Sequence, residues 1–194
     1  MKSLPREFYD RDTLEVAKDL LGCLLVREYE GERLVGRITE TEAYIGRCDK
    51  ACHAYGYKRT GRTETLFARP GTAYLYLIYG MYTCLNFVTE REGEPAAVLI
   101  RAIEAVAGEE TMARLRFGAV PEKWSSYQRK NFLNGPGKVC KALSLDKRQN
   151  GHDLLTPPLY VLPRDRAVGN LHCGPRIGID YAQEAKDFPW RFWV

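Results

Sequence analysis

The chain has 194 residues, 45% of them hydrophobic and 28% charged, and a formal net charge of +4. That is enough apolar material for one substantial core, and no linker-like stretch interrupts it, so a single domain spanning residues 1–194 is expected. Met1 runs into Pro5, Arg6, Asp10 and Asp12 without an apolar leader, no window reaches membrane-span length, and six scattered cysteines (Cys23, Cys48, Cys52, Cys84, Cys140, Cys173) make no stapled scaffold, so a cytoplasmic, membrane-free protein with reduced thiols is expected.

In chain order, Asp12-Thr13-Leu14-Glu15 reads as a capping box, Leu14, Ala17, Leu20 and Leu21 form an apolar stripe, and Gly22 ends the helix. Strands are predicted over Cys23 to Tyr29 and Leu34 to Tyr44 around the turn Glu30-Gly31-Glu32. Two more, Thr72 to Tyr79 and Tyr82 to Thr89, flank Gly80, and a fifth, Ala96 to Ile103, follows a turn near Gly93. Helices return at about Glu109 to Arg116 and Lys138 to Leu145. The last third, with Pro157, Pro158, Pro163, Pro175 and Pro189 between short apolar runs, reads as loops with two or three short strands. Strands joined by short turns predict an α+β domain, with a largely antiparallel curved sheet, flanking helices and one protruding hairpin.

The run Gly71 to Asn86 shapes that hairpin. Tyr74 to Tyr79 alternates as a strand should, Gly80 permits the reversal, and Tyr79, Met81 and Tyr82 are left at the tip. An aromatic and thioether wedge facing solvent is what DNA-bending and base-extruding proteins insert between base steps. An ordinary core hairpin with an aromatic face gives the same pattern. Between Thr111 and Arg148 nine Lys or Arg stand against Glu122 and Asp146, a face that a polyanion would feel.

Glu40, Glu42 and Tyr44 alternate on a predicted strand and so project from one face, where a carboxylate lining a cleft can act as a general base toward water. Arg101 ends the apolar run Ala97-Val98-Leu99-Ile100, where a lone guanidinium needs an anion. Pairing with one of these carboxylates would hold it ionised. Cys48-x3-Cys52-His53, with the distant His172-Cys173, lacks the spacing of common zinc sites, and His53 reads better as a polar pocket residue. Asn134-Gly135-Pro136-Gly137-Lys138 opens a helix with a lysine beside free N–H groups, which suits either a phosphate or a plain cap.

These residues fall into ordered motifs: L-L-G-C-L-L-V from Leu20, G-R-I-T-E-T-E-A-Y from Gly36, A-C-H-A-Y from Ala51, Y-L-I-Y-G-M-Y from Tyr76 on to C-L-N at Asn86, V-L-I-R-A-I-E from Val98, M-A-R-L-R from Met112, N-G-P-G-K-V-C from Asn134 and R-I-G-I-D-Y-A from Arg176. From about Leu14 to Val194 the chain resembles the alkyladenine (3-methyladenine) DNA glycosylase family. The resemblance implies that Glu42 is the catalytic carboxylate, that Arg101 helps bind its water, and that the Ile177 carbonyl makes a third contact to that water. It implies that Tyr44, His53 and Tyr76 sandwich and orient an extruded base, with Asn86 at the pocket wall disfavouring normal guanine. Tyr79 would fill the gap in the duplex with Met81 and Tyr82 beside it, and Lys138 would contact a phosphate. Lys58 and Arg62, in the variable loop Ala54 to Thr65, are further phosphate candidates.

A monomer acting on double-stranded DNA that contains damaged purines is therefore expected. It would need neither cofactor nor metal, and with no matching lysine nucleophile it would leave a free abasic site. The family usually continues past Arg191-Phe192-Trp193-Val194 with a short segment containing Gly and Val-Ser, and this sequence departs from it there. A metal-dependent nuclease using Glu40 and Glu42, and a non-catalytic damaged-DNA binder, are the alternative readings.

Overall fold

The computed structural model describes residues 2–78 and 80–194. Tyr79, the expected gap-filling residue, lies outside them. Among the described residues the main elements are α1 (Arg6–Tyr9), α2 (Thr13–Asp19), β1 (Leu24–Tyr29), β2 (Glu32–Ile45), β3 (Ala73–Ile78), β4 (Tyr82–Val88), β5 (Ala96–Ala107), α3 (Glu109–Phe117), α4 (Ser126–Lys130), α5 (Pro136–Ala142), β6 (Leu159–Leu162), β7 (His172–Gly174) and β8 (Arg191–Trp193), joined by turns and short 3-10 segments. The expected α+β class holds, with an open, curved, antiparallel sheet of eight strands.

Strand β2 is the beam of this sheet. Its fourteen residues pair along one edge with β5, and along the other first with β1 and then with β8. The path runs β3-β4-β5-β2-β1-β6, while β7 joins through β8. Helices α2, α3 and α5 pack on one face, where Leu20, Leu25, Leu34, Phe87, Ile100, Met112 and Leu143 are wholly buried in the main core. Asp12 caps α2 by accepting from the Leu14 and Glu15 amides, as its sequence requires. The turn between β1 and β2 puts Glu30 and Gly31 in the left-handed region, the backbone a tight two-residue hairpin demands.

Elements were readable where the pattern was long, and their ends moved by a few residues. Strand β5 runs four residues past the predicted Ile103, because its pairing with β2 continues to Val35. Helix α4, absent from the prediction, rests on a capping box in which Ser125 and Gln128 satisfy each other's amides. The last third does carry three short strands, the last of them, β8, formed by Arg191, Phe192 and Trp193.

Three register breaks interrupt β2 and β5. Glu40 faces Ala102 while Thr41 faces Ile100, so Arg101 is the residue skipped between them; Ile38 faces Ile103 while Glu40 faces Ala102, so Thr39 is skipped as well. A bulge frees a side chain from strict alternation and re-aims it. Here two bulges flank Glu40, and one of them carries Arg101.

Candidate active site

Behind the bulges the sheet encloses a cavity of about 390 Å³, whose lining includes Glu42, Tyr44, His53, Tyr76, Asn86, Arg101 and Ile177. Seven of the expected site residues, spread over 136 positions of sequence, thus share one cavity. Glu40 does not line it, although its carboxylate, like that of Glu42, stands against the Arg101 guanidinium.

Glu42 is completely buried. Its Oε2 accepts from the Tyr44 hydroxyl at 2.7 Å, its Oε1 accepts from the Ile177 amide at 2.9 Å, and Arg101 Nη1 stands 3.4 Å from Oε1. Burial lifts its carboxyl above the usual carboxylate range, and Arg101, Tyr44, the Ile177 amide and Arg176 oppose that rise without cancelling it. The expectation that pairing with Arg101 alone would set the ionisation left out this desolvation. Ile177 touches Glu42 through its N–H.

The aromatic wall is built from β3 and the turn after β2. His53 meets Tyr76 edge-to-face at 4.5 Å between ring centroids, and Tyr76 lies 5.4 Å from Tyr74. His53 Nδ1 is 3.1 Å from the Tyr74 hydroxyl, and Arg62 Nη2 is 3.3 Å from His53 Nε2. A guanidinium only donates, so Nε2 accepts and Nδ1 carries the proton toward Tyr74. Burial, then Arg62, push the imidazole pKa down to about 4, so His53 is neutral in ordinary buffers. The Arg62 guanidinium also sits over the Tyr76 ring at 5.4 Å. In this arrangement Arg62 braces the wall. Asn86, paired with Tyr74 across the hairpin, donates from Nδ2 to the Tyr74 carbonyl at 3.1 Å.

At the cavity mouth, strands β3 and β4 close across Ile78 and Tyr82, with Gly80 at φ 68° in the reversal. Met81 is 72% exposed and Tyr82 52%, so the tip projects apolar surface into solvent. Gly137 packs against Tyr82: a Cβ added there would stand 3.0 Å from the Tyr82 Cβ, tighter than an ordinary contact, so the glycine eases the close approach. That seats α5 beside the hairpin. Lys138, in its first turn, donates to Asn131 Oδ1 at 2.9 Å and Asn134 Oδ1 at 2.7 Å. Met81, Tyr82 and Lys138 therefore lie outside the cavity.

Sequence reading missed the buried pair that supports the site. Arg176 Nη1 and Nη2 meet the Asp49 carboxylate at 2.5 and 2.8 Å, with both side chains fully buried, and also donate to the Ala43 and Ala185 carbonyls. The guanidinium lies 4.7 Å from the Tyr44 ring and 5.2 Å from Trp190. One position on, Ile177 donates to Glu42; one position back, the Pro175 carbonyl accepts from Arg191 Nε. A strap of three residues is thus fixed at every position. The available signal was an arginine opening the apolar motif R-I-G-I, where an unpaired charge would be untenable.

Among the described residues no group of three or more His, Cys, Asp or Glu stands together as a metal site requires, and Cys48 and Cys173 are exposed while Cys52 is buried in the cavity wall. No helix among them is long and apolar enough to cross a membrane.

Comparison with known proteins defines the class. A family model described as methylpurine-DNA glycosylase matches residues 7–194, and the chain belongs to that family of DNA glycosylases, hydrolases acting on N-glycosyl bonds. The motif resemblance therefore holds over nearly the whole length. Among individual relatives, proteins named "Putative 3-methyladenine DNA glycosylase" from Clostridium perfringens (strain SM101 / Type A) and Clostridium tetani (strain Massachusetts / E88) are each 53% identical, over 98% of this chain and 95% of the relative. One of the same name from Desulfitobacterium hafniense (strain Y51) is 50% identical over 100% of this chain and 96% of its own length.

Replacing Arg176 by Met should strand the Asp49 charge in the interior and cost about 3–5 kcal/mol of unfolding free energy. Urea titration at neutral pH checks this, and a loss below about 1 kcal/mol would show that the pair is not structural.

Proposed function

We propose that the protein excises damaged purines from duplex DNA by nucleotide extrusion and attack of a Glu42-activated water, leaving an abasic site. The observation that carries this reading is the pairing, in one cavity, of a fully buried carboxylate with the wall of Tyr44, His53 and Tyr76. A purine is a flat apolar body with polar edges, and a slot of aromatic faces with few polar groups suits it.

In this reading the basic face and Lys138 bind phosphates, and the hairpin tip of Tyr79, Met81 and Tyr82 enters the minor groove and replaces the extruded base in the stack. The purine enters the slot, with Asn86 reading its edge against normal guanine. Water held by Glu42, Arg101 and the Ile177 main chain then attacks the anomeric carbon. The C1′–N bond breaks with its electron pair leaving on the purine, and Glu42 takes the proton from the water. The positive charge that develops on the sugar faces the carboxylate. An alkylated purine is already cationic and departs readily, and electron-rich rings favour it in the slot. The names of the relatives support an alkylated adenine among the substrates.

Changing Glu42 to Gln tests the assignment. Base release from a duplex with one alkylated purine should fall about 10²–10⁴-fold, with affinity for that duplex kept. Unchanged release would make the protein a user of some other base; loss of both release and affinity would remove the case for Glu42 as base alone. A carboxyl whose folded pKa exceeds its unfolded value weighs against the folded state at neutral pH, and that penalty fades as pH falls through the folded value. The Glu42→Gln protein should therefore melt no lower than wild type at pH 7.

Release must also depend on pH. Because burial raises the Glu42 pKa, the acid limb of the single-turnover rate should have its midpoint above the ordinary carboxylate range, while His53, neutral above about 4, leaves no limb near pH 6.5. A midpoint at or below the ordinary carboxylate value would contradict the raised pKa.

Against the nuclease reading, both carboxylates it would need already face Arg101. Excision should persist in EDTA. Activity lost to the chelator and restored by Mg²⁺ would favour the nuclease.

A further inference from the structure

Arg101 is held loosely for a guanidinium largely withdrawn from solvent. Its Nη1 is 3.4 Å from Glu42 Oε1, its Nε is 3.3 Å from Glu40 Oε1, and among the described residues that Nε has no hydrogen-bond partner of acceptable angle. Arg191 is bound far more tightly: Nη1 donates to the same Glu40 oxygen at 2.9 Å and Nε to the Pro175 carbonyl at 2.8 Å. The four side chains form an alternating series, Arg191, Glu40, Arg101, Glu42, whose exposure falls from 23% through 19% and 14% to 0%.

A guanidinium that faces one buried carboxylate closes on it with short parallel hydrogen bonds, because the low local dielectric strengthens the attraction and a fork matches a carboxylate. Arg101 has not closed on Glu42. Its position in a bulge leaves it unconstrained by the sheet register, so the restraint must come from side chains, and the second carboxylate within reach is Glu40.

We propose that Glu40 is a positioning residue that divides the Arg101 guanidinium between two carboxylates, with Arg191 as its own counter-ion, so that Glu42 is steadied without being sealed in a closed ion pair. The proposal rests on the reading of Glu42 as the base. A closed pair would occupy the lone pairs that must receive the water proton and would lower the basicity of Glu42. Glu40 is outside the cavity lining and acts only through Arg101. The groups facing Glu42 are Tyr44 from β2, Arg101 from β5, Arg176 and the Ile177 amide from the strap, and Cys84 from β4. Glu40 and Arg191 complete the set at one remove.

Four variants decide it: Glu40→Gln, Glu40→Asp, Arg191→Met and Glu42→Gln. Each is assayed for single-turnover release from a duplex with one alkylated purine across the acid and neutral range, with duplex affinity and thermal melting measured in parallel. Glu40→Gln should lower the plateau rate roughly tenfold, move the acid limb to lower pH and leave duplex affinity unchanged. Arg191→Met leaves Glu40 free to draw Arg101 away, so its acid limb should move to higher pH. Glu40→Asp keeps the charge but is one methylene short, and its plateau should fall like that of Glu40→Gln.

A Glu40→Gln protein with a wild-type plateau and acid limb overturns the proposal, whatever its melting temperature. So does a wild-type plateau in Glu40→Asp, which would mean that charge matters and reach does not. If Glu42→Gln is inactive while Glu40→Gln behaves as wild type, this proposal alone fails; if Glu42→Gln is fully active, the base assignment fails and takes it along.

Discussion

A carboxylate taken wholly out of water costs several kcal/mol unless its lone pairs are met, and Glu42 is such a group. Its compensation comes from four places in the chain: Tyr44 two residues on, Arg101 on the neighbouring strand, the Ile177 amide 135 residues away, and the field of Arg176. None of these cancels the desolvation, which is why the carboxyl titrates high. Folding must bring these segments together before the charge can be tolerated. The architecture can be understood as the means of supplying donors to that one oxygen pair while keeping a cavity beside it.

Strand β2 makes this possible because it is long enough to be used twice. Its first half, paired with β1 and β5, is ordinary core sheet; its second half carries Glu40, Glu42 and Tyr44 between β5 and β8. Arg101 could not both pair in register and turn toward Glu42, and the bulge resolves the conflict by dropping it from the ladder. The strap is fixed by a different device. Arg176 is neutralised by Asp49, which also accepts from the Ile45 and Ala51 amides, so one buried pair ties the turn after β2 to the segment that reaches Glu42. A buried pair of this kind adds little net stability over apolar packing, but it specifies which two segments meet.

The sheet and most of the cavity residues were legible in the sequence because long alternating runs have few alternatives as strands, and because the motifs around Glu42, His53, Tyr76 and Asn86 are dense in residue types that chemistry needs. The hairpin tip was legible for the opposite reason: Met81 and Tyr82 are apolar where a turn is solvated. What stayed hidden depends on register and on partners far apart in sequence. Strict alternation placed Glu40 beside Glu42, and both do stand against Arg101, but the bulge that drops Arg101 from the ladder has no short-range signature. Asp49 and Arg176 stand 127 positions apart, and neither gives any local sign of the other. The balance of desolvation against pairing at Glu42 requires coordinates, since a sequence shows the guanidinium and not the exclusion of water.

The wall of the slot is built from side chains that hold one another. Tyr74, Tyr76 and His53 lean on one another at 4.5 to 6.4 Å between centroids, Asn86 is engaged with the Tyr74 carbonyl, and Arg62 holds the outer nitrogen of His53. On the proposed reading, rings that brace each other lose little further entropy when a base is inserted, so the binding free energy of the purine can be directed to extrusion and alignment. Holding His53 neutral also keeps a second positive charge off the wall. On the proposed reading that distinction matters: a cationic purine would meet an uncharged imidazole and tyrosine faces, and the positive charge closest to the reacting centre would be Arg101, opposite the carboxylate that needs it.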